Sequence, residues 1–450
     1  MARRTFLKYL EHDYDQFVEK VNKLVSEIKK SSYGRKFVQI VHDMWTSAAK
    51  KNCIGSGMSF LDEDFNWYFI PCFLIVNNVT HASAYNADIL RRAYAERFGL
   101  DISECAKFMG SDTTNCATAI SKCFEDVEQV DCEMHVLNLV LLYGMGLKEH
   151  YQTIDNVREN SSIGGPFLNG ARVIATLKQI CAYFSTGQRL QALADVQSYH
   201  VYPVGAPAND GATRVSSAHR LLTTAIFHYY AMMMYYEKVK ASEDPFVLAW
   251  ESLSRADWDL ILEMECLTKD LARYSLGAAQ RKGCLASETL IWRDTALKIV
   301  DSQVFYPLKL RSWDASTSLT TVGQSRAPMP DSYLSEGGQQ CRKRLKFEII
   351  DRFGATREDP KILLAYFLDP RTAPFAEVLI SEEAFHSALT FFENEIFDVL
   401  DAMKPAANTH ATAVDQPADP LNVAVPRVGV ESTTTAGKKW QKIGLHIPEQ

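Results

Sequence analysis

Residues 67 to 76 read WYFIPCFLIV, ten residues without a charge and almost all of them apolar. The run is too short to cross a bilayer as a helix and is dense in β-branched and aromatic side chains, so it reads as a strand covered on both faces. Pro71 inside it removes a ladder donor, which favours an edge or a bulge. A covered strand needs neighbours, and the chain supplies them on its N-terminal side. KFVQIVH (36 to 42) and Ile54 to Leu61 have the same character, and DEDF (Asp62 to Phe65) makes a hairpin connection into Trp67.

The pattern then alternates. SAYNADILRRAYAERF (Ser83 to Phe98) predicts an amphipathic helix stopped by Gly99. Ala106 to Met109 predicts a short strand leading into Gly110-Ser111-Asp112. Thr114 to Phe124 predicts a helix, Glu128 to Cys132 a strand and Met134 to Tyr143 an apolar helix. Three strands, a helix, then strand, helix, strand and helix describe an α/β layered domain with a mixed sheet. Before it, residues 1–35 hold a helix with Phe17, Val21, Leu24 and Ile28 at helical spacing.

Past residue 150 helical periodicity takes over, with long segments at 166–185, 214–240, 256–280 and 285–300. The division expected is a sheet-bearing core over 36–150 and an all-α domain over 151–310. A Ser/Thr/Pro-rich linker follows over 311–335, then a helical segment over 336–403 with helices near 336–353, 359–367 and 381–403. From Lys404 the sequence is rich in Pro, Ala and Thr and poor in large apolar residues, so 404–450 is expected to be a disordered tail.

Composition narrows the function classes. The net charge is −7, against the basic balance usual in dedicated nucleic-acid binders. Two local basic runs, KKSSYGRK (Lys29 to Lys36) and CRKRLK (Cys341 to Lys346), can contact phosphates or direct nuclear import, though such runs are commonly solvated faces. The 10 cysteines form no CxxC pair, and the N-terminus has no sustained apolar segment. Reduced thiols in an intracellular, non-secreted protein without a membrane span are therefore expected.

Two acids stand where sheet chemistry would need them. Asp43 follows the first strand and Asp112 the fourth. Where those strands are neighbours their carboxylates converge, a minimal Mg²⁺ site, since Mg²⁺ takes hard oxygen ligands and keeps several waters. Alternatively Asp43 simply caps a turn.

Together HDMWTS, GSDTTNCATAISKCF and DCEMHVLNLVLLYG resemble the core of hAT-superfamily transposases, and TRVSSAHRLL (Thr213 to Leu222) and AYFLDPR (Ala365 to Arg371) resemble two later runs. The order and rough spacing agree over about 36 to 371. The resemblance implies an RNase H-like sheet with Asp43 and Asp112 as two acids of a DDE site, using Mg²⁺ if active. It implies contacts to nucleic acid at His135 and Arg214, DNA as a partner, and a nuclear location. Cys132 and His135 are two ligands, not four, so a structural or DNA-end role is preferred to zinc.

The departures shape the expectation. The family's third acid, a Glu in a Ser-Glu-Arg-x-Phe-Ser context, has no counterpart. Glu263, Glu265 and Glu348 fall on predicted helices and read as exposed helix glutamates. Val215 stands where the family has a Trp, and no Cys precedes Cys53, so its zinc finger is not expected upstream. Its C-terminal dimerisation region is not recognisable, which leaves oligomerisation open. Three readings follow. The first is a transposase-derived, domesticated protein that binds nucleic acid or protein and is impaired in catalysis. The others are an active Mg²⁺-dependent DNA transposase or nuclease, and an unrelated soluble interaction protein.

Overall fold

The computed structural model describes residues 3–403 except 48, 65, 81, 201, 209–215, 281–285, 311–325, 355–357 and 376–379. Arg214, Val215, the tail over 404–450 and most of the expected linker lie outside the described residues. A helix, α1 (Arg3–Ser31), precedes β1 (Val38–Thr46), β2 (Asn52–Leu61) and β3 (Trp67–Val76). Then come α2 (Ser83–Phe98), α3 (Ile102–Cys105), β4 (Ala106–Ser111), α4 (Asn115–Ser121), β5 (Glu128–Asp131) and α5 (Glu133–Gly144).

The five strands make one mixed sheet in the order β3-β2-β1-β4-β5. β1, β2 and β3 are antiparallel neighbours, and β4 and β5 add in parallel on the other side of β1. Alternation decides which face is buried. Val38, Ile40 and His42 of β1 point inward with Ile54, Met58 and Phe60 of β2. They pack with Val21, Val25 and Ile28 of α1 and with Leu90 and Tyr94 of α2.

Two expectations are corrected here. β3 is an edge strand, and its outer side chains Trp67, Phe69, Leu74 and Val76 are exposed, so it is not covered on both faces. Pro71 sits where the edge position and the bulge between Ser56 and Gly57 make its missing donor harmless. The first strand does not stop at residue 42. β2 keeps pairing with it as far as Thr46↔Asn52, which holds Asp43, Met44 and Trp45 extended, and only Ser47 begins the turn.

Local chemistry sets the other ends. Gly99 closes α2 in the left-handed conformation (φ 62°), with its N–H on the carbonyl of Ala95. Thr114 caps α4 through its side chain.

After α5 a two-stranded hairpin, β6 (Tyr151–Ile154) and β7 (Val157–Asn160), turns through Asp155 and Asn156, both at positive φ. Its residues are nearly all exposed, so no hydrophobic alternation marks it in the sequence. A helical region follows: α6 (Leu168–Tyr183), α7 (Gly187–Tyr199), α8 (Ser217–Val239), α9 (Pro245–Glu251), α10 (Arg255–Gln280), α11 (Thr289–Val300) and α12 (Glu336–Phe353). Last come α13 (Pro360–Leu368) and α14 (Glu382–Met403). No helix among the described residues is long and apolar enough to cross a membrane.

The core of this helical region includes α5. Val136, Leu137, Val140 and Leu141 pack with side chains of α6, α8, α10 and α12, so α5 carries the chain from the sheet directly into the helical core. Gly144 makes the α5–α12 contact close, since a Cβ there would stand 2.3 Å from Leu345 Cδ2. Two residues on, Gly146 has φ +77°, and a Cβ would lie 2.5 Å from the Phe167 carbonyl oxygen. Gly146→Ala is therefore expected to destabilise by about 2–3 kcal/mol, combining left-handed strain with a backbone clash. Gly165→Ala is the control, with similar φ (+75°) but no atom within 4 Å. It should lose only about 1 kcal/mol, both read as shifts in urea midpoint.

Candidate functional site

The last parallel pair between β1 and β4 is Val41↔Gly110. Asp43 is two residues beyond Val41, and Asp112 two beyond Gly110. Neighbouring strands lie roughly 5 Å apart and advance equally per residue, so this register directs both aspartates to the same end of the sheet, and the Asp112 charge acts on Asp43. Asp43 remains in the ladder with β2 (Asp43↔Gly55), while Asp112 follows the end of β4.

β5 adds the third wall. Ser111 is in register with Asp131, and the Cys132 N–H donates to the Ser111 carbonyl at 2.8 Å. This brings the start of α5, and with it His135, to the same end of the sheet. Both aspartates act electrostatically on His135, and both are held in place by local hydrogen bonds. Asp43 Oδ1 accepts from the Met44 N–H at 2.8 Å. Asp112 Oδ1 accepts from Thr114 N–H at 3.2 Å and Thr114 Oγ1 at 2.7 Å. The alternative reading of Asp43 as a turn cap is corrected, since Asp43 lies within the β1–β2 ladder; it is Asp112 whose carboxylate closes a turn.

The charges respond to one another. Asp43 is open to solvent at its surface, yet loss of surrounding water raises its carboxyl above the usual range. The Met44 N–H opposes that rise, the Asp112 charge adds to it, and His135 counters. His135 is raised chiefly by its hydrogen bond to the Cys132 thiol, against partial burial, with Asp112 and Asp43 reinforcing. His135 Nδ1 is buried without a hydrogen-bond partner among the described residues.

Sequence reasoning missed His42. It is fully buried beneath the site, and neither ring nitrogen has a partner among the described residues. Burial pushes its pKa down to about 4 against the pull of Asp112. It heads the run HDMWTS but carries no role there, so its only signal was its place at the end of an apolar run. Trp45, two residues beyond Asp43 in β1, belongs to the same surface. Its ring crosses Gly55, 3.0 Å from where a Cβ would stand, on the face that carries Asp43.

The expectation that Glu263, Glu265 and Glu348 are exposed helix glutamates is overturned: all three are buried. Glu263 accepts from Ser335 N–H (2.9 Å) and Ser335 Oγ (2.5 Å) at the start of α12. Glu265 takes both terminal nitrogens of Arg326, at 3.0 and 2.7 Å. Glu348 pairs with His150 and with Arg352 Nε at 2.9 Å. Each side chain is taken up by packing within the helical region. Glu133, closest in sequence to His135, accepts from Thr289 Oγ1 at 2.8 Å.

Two carboxylates with backbone-fixed positions suit a hard divalent cation, which accepts one or two protein carboxylates and fills the rest of its shell with water. Asp43 and Asp112 fit Mg²⁺ in that sense. Among the described residues, no group of three or more His, Cys, Asp or Glu is arranged to hold a metal. Cys132 and His135 remain a pair, short of a structural zinc set.

The basic runs are largely occupied by internal partners. Arg35 pairs with Glu395 at 2.6 Å, and Lys36 donates to the carbonyls of Glu125 and Asp126. In the second run Arg342 pairs with Asp331, Lys346 with Asp301, and Arg344 is buried. The segment expected to carry a nucleic-acid contact at Arg214 re-enters the described residues at Ser216. There the Ser216 N–H donates to Asn138 Oδ1 of α5 at 3.1 Å, one turn from His135. Comparisons of the sequence with protein-family models and with curated proteins find no match.

Proposed function

We propose that this chain derives from a hAT-type transposase, binds nucleic acid or protein through an RNase H-like domain and its helical insertion, and is impaired in strand cleavage. The matched offset of Asp43 and Asp112 beyond the Val41↔Gly110 pair carries this reading. The strand order agrees with it, three antiparallel strands extended in parallel by β4 and β5. The motif residues Asp43, Asp112 and His135 gather at one sheet end although they are far apart in sequence. A cation held by the two aspartates would supply Lewis-acid polarisation of a phosphoryl oxygen. The protein's own part is to fix both carboxylates by short local hydrogen bonds and to set His135 beside them.

The impairment follows from the acids. The glutamates that could complete the site in sequence terms are each committed to a partner in the helical region. Two carboxylates do not make the paired-metal clamp that in-line phosphoryl displacement uses. A nuclear location belongs to the same proposal.

The test is a DNA assay on the full chain with Mg²⁺ or Mn²⁺ at low salt. Fluorescence anisotropy is expected to show DNA binding that weakens with salt, and gels to show no more nicking than with Asp43→Asn/Asp112→Asn. Cation-dependent cleavage abolished by that double substitution would mean a live nuclease. Absence of any DNA binding would remove nucleic acid as the partner.

A further inference from the structure

Every residue from Thr5 to Phe17, the first half of α1, is exposed. That half is nonetheless apolar along one stripe. Leu7, Leu10, Tyr14, Phe17, Val21, Leu24 and Ile28 follow one another in unbroken steps of three and four, the spacing of a coiled-coil seam. The second half of the stripe is covered: Val21 and Ile28, with Val25 beside them, are buried in the sheet domain's core. α2 provides part of that cover and ends at Phe98, where Asn22 Nδ2 donates to the Arg97 carbonyl at 3.3 Å. Before that point the same stripe runs on bare, with Leu10 53% and Phe17 37% exposed, and Phe6 and Tyr9 widen it.

A helical extension of this length without tertiary support is marginal in water, and a contiguous exposed apolar stripe marks an association surface. We propose that the first half of α1 pairs with the same segment of a second copy of this chain, in antiparallel orientation. Leu7 of each copy then meets Phe17 of the other, and Leu10 meets Tyr14, giving four apolar layers about a two-fold axis near His12.

Charge selects both the occupant and the orientation. The start of the helix is basic at Arg3, Arg4 and Lys8. Where α2 ends, a notch beside α1 is lined by Tyr14, Asp15, Glu19, Asn22 and Glu96, and by Arg97, whose guanidinium lies over the Phe73 ring, 5.3 Å from its centroid. Antiparallel pairing brings the basic end of each copy to the acidic notch of the other, twice by symmetry. Parallel pairing would drive the second copy's residues 21–28 into the space α2 fills. The chosen register sets Glu11 and Asp13 near their own copies at the axis, so the pairing is weak and sensitive to salt. The inference does not depend on the reading of Asp43 and Asp112.

Sedimentation of the full chain from about 1 to about 100 µM is expected to show a monomer–dimer equilibrium. Leu10→Glu/Phe17→Glu, both at exposed positions, should weaken it at least about tenfold with the far-ultraviolet circular dichroism of the body kept. Arg3→Glu/Arg4→Glu should weaken it too, without touching the apolar layers. Mixed Leu7→Cys and Phe17→Cys chains should form a disulfide faster than either variant alone. A monomer throughout, a dimer indifferent to both sets of substitutions, or Leu7→Cys cross-linking fastest to itself would overturn the proposal.

Discussion

Arg344→Met is expected to destabilise the protein by about 3–5 kcal/mol, the range for removing one partner from a buried ionic network. Arg344 is 2% exposed, yet it carries a charge. Its guanidinium accounts for that burial donor by donor. Nε donates to the Tyr143 carbonyl at 2.8 Å and Nη1 to the Gly165 carbonyl at 2.8 Å. Nη2 donates to the Lys148 carbonyl at 3.1 Å and to Glu149 Oε2 at 2.9 Å. The three carbonyls belong to the end of α5 and to the segments just after it, so one side chain of α12 ties the exit from the sheet domain to the helical core. Methionine would fill the volume but leave three carbonyls and a carboxylate short of a donor in a dry place. Arg344→Lys should recover little of the loss, because one ammonium cannot reproduce the planar fork. Urea unfolding followed by circular dichroism checks both. A change below about 1 kcal/mol for Arg344→Met would mean that water replaces the guanidinium there.

Arg344 also shows why part of this fold could not be read from the sequence. In CRKRLK it looks like one cation among several on a solvated or phosphate-binding face. Its acceptors lie 179 to 201 residues earlier in the chain, and no local pattern predicts such partners. Glu263, Glu265 and Glu348 mislead in the same way: helix periodicity placed them correctly on helices, while only the tertiary packing explains why carboxylates are buried there.

Where the signal is local, sequence and structure agree closely. β3 spans Trp67–Val76 and α2 spans Ser83–Phe98 as expected, because apolar density, a glycine stop and capping act within a few residues. The end of β1 was misjudged because the strand is prolonged by pairing with β2, not by its own apolar residues. Helix α7 (GQRLQALADVQSY) and helix α9 were missed, the former for lack of a marked apolar stripe and the latter for its brevity. At the candidate site, Asp112 and His135 stand beside element ends, where sequence patterns are easiest to read, whereas Asp43 lies inside β1 and drew notice only because the apolar run stops before it. His42 was not legible, since its burial without a partner is a property of the sheet and α-helical layer around it.

The central claim is that Asp43 and Asp112 act as one carboxylate pair. The most direct test is a calorimetric titration of the full chain with Mn²⁺, which binds the same oxygen ligands as Mg²⁺. Wild type should bind one ion per chain. Asp43→Asn and Asp112→Asn should each weaken that binding at least about tenfold, or about 1.4 kcal/mol, and the double substitution should remove it. Both variants should keep the wild-type unfolding free energy, read from urea titration, to within about 1 kcal/mol, since neither side chain is part of the packed core. Absence of Mn²⁺ binding in the wild type, or binding that survives either substitution unchanged, would contradict the pairing of these two carboxylates.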